Sequence, residues 1–114
     1  MSLKRAGVVD WLGIEKGSGY IVLTVVDDLD WSDEGGHLLA LQEKLNRYLA
    51  FIESGEVFER LAEDVKRAVP RSTPIKVSIL AKYPLPECGK AFLVHAQSKF
   101  MDSGYGLFFK VLPA

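Results

Sequence analysis

The hydrophobic positions along this chain change period several times, and each change marks an element. Residues 7–14 carry Val8, Val9, Trp11, Leu12 and Ile14 and read as a strand. Residues 20–26, Tyr-Ile-Val-Leu-Thr-Val-Val, have the β-branched and aromatic content of a second strand. The polar, glycine-containing run Glu15 to Gly19 between them predicts an antiparallel hairpin. The period then lengthens. Leu38, Leu41, Leu45, Leu49 and Ile52 recur at spacings of three and four, which predicts an amphipathic helix over residues 33–54, about 33 Å long. Asp30, Ser32 and Asp33 are candidate N-caps, and Gly55 is a natural stop.

Phe58, Leu61, Ala62, Val65 and Val69 keep helical spacing, so a second helix is expected over residues 56–69. Pro70 and Pro74 end it, because each disfavours helix at the residue before it. Residues 75–83 alternate, with Ile75, Val77, Ile79 and Ala81 on one face and Lys76, Ser78 and Lys82 on the other; Leu80 alone is out of step. Pro84-Leu85-Pro86 opens a third helix, with Pro86 in its first turn, running to about Met101 and burying Ala91, Phe92, Ala96 and Phe100. A last strand covers residues 105–112.

The order is ββααβαβ, and a chain of 114 residues holds one domain, residues 1–114, around one core. The fold class is α+β: a two-layer sandwich with helices on one face of a four-stranded, mixed or mostly antiparallel sheet. The strand–helix–strand unit at the C-terminal end should make the last two strands parallel.

Composition narrows the partners. Net charge is −1 and no Lys/Arg stripe exists, which argues against nucleic acid and against a membrane surface. No apolar run is long enough to span a bilayer, and the first residues lack the apolar core of a secretory signal. With Cys88 as the only cysteine, a reducing cytoplasm is the expected setting. A two-layer domain leaves one sheet face uncovered, and here Trp11, Val22, Val26 and Phe108 would form an apolar patch on it. A homodimer through that open face is expected.

Candidate chemistry begins with Asp27, Asp28, Asp30, Asp33 and Glu34, followed by His37. Carboxylates with a histidine could hold a divalent metal. The spacing fits no calcium loop: counted from Asp28, Asp33 stands where glycine is needed and Leu39 where the final acid is needed. The plainer reading is a helix N-terminus satisfied by acids. Cys88, in the first turn of the third helix, would need a base; His95 lies about 10 Å along the axis, beyond direct contact. No cofactor motif is present: Gly17-Ser18-Gly19 opens a strand, not a helix whose N-terminus could hold a phosphate.

The segments Asp28-Leu29-Asp30-Trp31, His37-Leu38-Leu39 and the run from Leu41 through Gly55-Glu56 resemble a family of small uncharacterised bacterial proteins. Members pair a Val-x-Asp-x-x-Gly-Ile strand, here from Val8 to Ile14, with this aspartate–tryptophan turn and long helix. Lys82-Tyr83-Pro84 is also similar, whereas Leu61 to Arg71 matches less well. The resemblance implies a bacterial origin and a cytoplasmic setting, and it transfers no catalytic residue. Within the matching segment Trp31, His37, Gln42, Asn46 and Glu53 are polar or amphipathic, and the last three are not demanded by the apolar stripe.

The expected binding residues are therefore Asp28, Asp30, Trp31, His37, Gln42 and Asn46, with no metal ligands assigned. The expected function is a non-catalytic interaction or structural module, acting as a homodimer. The alternative is a small enzyme or metal-binding protein using Asp28, Asp30 and His37. A third reading is a small-molecule sensor built on Trp11, Trp31 and Tyr20.

Overall fold

The computed structural model describes residues 11–113; the part of the first expected strand before Trp11 lies outside them. The elements follow the expected order: β1 (Trp11–Ile14), β2 (Ile21–Asp27), α1 (Glu34–Glu53), α2 (Glu56–Val65), β3 (Ile75–Ala81), α3 (Glu87–Asp102) and β4 (Gly106–Val111). The four strands form one sheet in the order β1-β2-β3-β4. β1 and β2 are the antiparallel hairpin, while β2–β3 and β3–β4 are parallel. The sheet is thus mixed, and its parallel pairs outnumber the antiparallel one. Because each crossover advances in the same direction across the sheet, all three helices lie on one face.

The period-two alternation of the strands decides which side chains enter the core. Ile21, Leu23 and Val25 of β2, Val77 and Ile79 of β3 and Leu107 of β4 point under the helices and are buried. Leu41, Leu45, Tyr48 and Ile52 of α1 close on them, joined by Val57 and Leu61 of α2 and Phe100 of α3.

α1 is one residue shorter at each end than the expected 33–54, the two end residues serving as its caps: the Asp33 carboxylate accepts from the Gly36 N–H at 3.1 Å, and Ser54 is the C-cap. α2 ends four residues earlier than its apolar spacing suggests. Lys66 turns left-handed there (φ 55°), and this early exit returns Val69 to the core. Pro86 is the extended N-cap of α3, not a member of its first turn. Ala91 is exposed, since the buried side of α3 runs through Phe92, Leu93, Ala96 and Phe100.

Among the described residues no helix lies on the opposite sheet face. Pairing register lines up Trp11, Thr24, Ser78 and Phe108 in one row across all four strands. Two aromatic side chains therefore stand at the edges, about 14 Å apart by strand spacing, over a centre of small hydroxyl residues. Trp11 is 68% exposed and Phe108 54%.

Candidate functional site

Asp27 and His37 are two of three polar side chains, Lys44 being the third, that occupy positions the patterns reserve for apolar ones. Asp27 is the last residue of β2 and continues the inward series Ile21, Leu23, Val25. His37 lies one turn before Leu41 on the inward stripe of α1. Each is only 2% exposed. The β2–α1 turn brings them together, and the backbone there is pinned, since the Asp27 carbonyl accepts from the Lys82 N–H at 2.9 Å.

The imidazole is fully engaged. Nδ1 lies 2.8 Å from the Asp30 carbonyl; a carbonyl only accepts, so Nδ1 carries the proton. Nε2 lies 2.8 and 2.7 Å from the two carboxylate oxygens of Asp27. One proton is shared in that contact, as imidazolium with carboxylate or as imidazole with carboxylic acid. Trp31 closes the outer side, its ring stacked on His37 at 3.6 Å with 16° between planes.

Burial pushes the Asp27 carboxyl above the usual aspartate range. The hydrogen bond and charge of His37 and the Leu29 N–H pull it down without cancelling that cost, and the neighbouring Asp28 charge adds to the rise. Asp30 goes the other way: the hydroxyl and N–H of Ser32 hold its carboxyl below the usual range.

In this geometry both ring nitrogens of His37 already have partners within the protein. A histidine acting as general base needs one nitrogen facing substrate, with the other held by its orienting partner. His37 has neither nitrogen to spare, and Trp31 covers it. The Asp30 and Asp33 carboxylates are spent on Ser32 and on the Gly36 amide. Among the described residues no group of three or more His, Cys, Asp or Glu is placed to hold a metal ion. The arrangement is a clamp that fixes where α1 leaves the sheet.

Of the six expected binding residues, Asp30, Trp31 and His37 meet in this clamp, and Asp28 sits half-buried beside it. Gln42 and Asn46 do not join them. They line a separate hollow between α1 and α3. The residue missed as a site member was Asp27; apart from the clamp, the burial of Lys44, whose ammonium lies 5.6 Å from the Tyr48 ring centre, was missed too. Their signal was positional: a charged residue at an inward place of a strand or helix stripe needs a buried partner. Tyr48 in turn donates to the Thr24 carbonyl at 2.8 Å, tying α1 to β2.

These features define a two-layer α+β domain with a sealed polar clamp, an open sheet face and no helix, among the described residues, long and apolar enough to cross a membrane. The chain belongs to DUF6572, a family of unknown function, whose model matches residues 1–113. No curated protein and no solved structure matches it.

Proposed function

We propose that this chain is a non-catalytic interaction module that works as a homodimer through its open sheet face, in the bacterial cytoplasm that its family resemblance implies. The observation that carries the reading is the row Trp11, Thr24, Ser78, Phe108. Two large aromatics stand largely exposed at its ends, and half-buried Val22, Val26 and Leu80 continue the apolar surface beside it. Aromatics set around small residues are what a packed interface uses as anchors. The closure of both His37 nitrogens supports the non-catalytic part.

Light scattering on the purified chain should give about twice the 12.7 kDa of one copy. Trp11→Ser and Phe108→Ser should each weaken association by about 2 kcal/mol, roughly thirtyfold in Kd. A single-copy mass at high concentration overturns the proposal.

A further inference from the structure

The helical layer holds a concavity of its own, on the side away from the open face. Between α1 and α3 lies a hollow of about 220 Å³. Its floor is apolar, with Leu45 and Phe100 buried and Phe92 half-buried along one wall. Its rim is polar and arranged in two facing pairs. Gln42 and Asn46 stand one turn apart on α1, and His95 and Lys99 one turn apart on α3. A concave apolar floor with a few convergent polar groups is the usual form of a small-molecule site.

The dimensions and the charge specify the ligand. The hollow is smaller than the roughly 300–1,000 Å³ of sites that take drug-sized molecules, so it fits one ring with a short substituent. Among the described residues Lys99 is the one lysine, arginine or acidic side chain lining it. Among the described residues no carboxylate lies within ion-pair distance of Lys99. Asp102, one turn on, shares an adjoining hollow with it but does not pair with it. Two amides and an imidazole add hydrogen-bonding groups around that cation. The walls are held in place, since Gln97 donates to the Leu107 carbonyl at 3.0 Å and fixes α3 on β4.

We infer that this hollow is a binding site for a small aromatic carboxylic acid. The ring lies on Leu45 and Phe100, and the carboxylate meets Lys99 with Gln42 and Asn46 opposite. The site shares no residue with the open face, so it stands or falls apart from the dimer.

The test is a titration of the isotope-labelled full chain with phenylacetate and with its uncharged analogue phenylacetamide. Signals of the Gln42 and Asn46 side-chain amides and of the His95 ring are followed. Phenylacetate should shift them saturably, with Kd about 1 mM or tighter. Phenylacetamide should bind about tenfold more weakly, and Lys99→Gln should erase that difference while leaving the thermal midpoint unchanged. Absence of saturable shifts, equal affinity for the two probes, or shifts confined to Trp11 and Phe108 would each overturn it.

Discussion

At the scale of single residues the Asp27–His37 contact is the most consequential pair. Asp27→Ala leaves a buried imidazole nitrogen without its partner, which should cost about 3 kcal/mol in urea unfolding at neutral pH. The proton linkage has an unusual sign for a carboxylate. Asp27 binds its proton more tightly folded than unfolded, because burial outweighs its hydrogen bonds. Its own titration therefore contributes stability fully below the unfolded value of 3.8, and that contribution is lost as pH rises through the higher folded value. Following the Asp27 carboxyl carbon by NMR should give a midpoint above 3.8; one at or below it contradicts the assignment. The pair was only half legible in the sequence. Asp27 was visible as part of an acidic run, but that run mixes one inward carboxylate with several outward ones. Only the strand's exact end decides which is which, and strand ends are what patterns place least well.

At the scale of elements, legibility followed the strength of each pattern. α1 was readable to within one residue at each end because its leucine stripe, acidic cap and following glycine all agree. α2 was not, because Val65 and Val69 keep helical spacing while the chain between them leaves the helix at Lys66. Spacing alone does not separate a helix from a turn that returns to the same core. The α1–α2 junction depends on Gly55, which is left-handed at φ 84° and is at once the stop of one helix and the N-cap of the next. Gly55→Ala should cost about 1 kcal/mol through that conformation, lowering the thermal midpoint by about 4 °C in calorimetry. A midpoint equal to that of the natural chain would contradict this role.

At the scale of the whole molecule, the two-layer architecture was legible, but the direction of β3 beside β2 was not. The long connection carrying α1 and α2 can return a strand either way, and both directions satisfy the alternation of β3. The candidate hollow was legible only as unexplained polarity on α1, for its other wall comes from α3, far away in the chain. The sealing of His37 has one more consequence. The protein contains two histidines, one locked on both nitrogens under an indole and the other exposed on α3. A histidine-selective acylating reagent therefore meets a built-in reference and a built-in reporter in one chain. Mass spectrometry after brief treatment should find one adduct on the folded protein, at His95, and two in urea. The second adduct then measures how often the head of α1 comes away from the sheet. Two adducts formed at equal rates under native conditions would mean that the clamp does not hold.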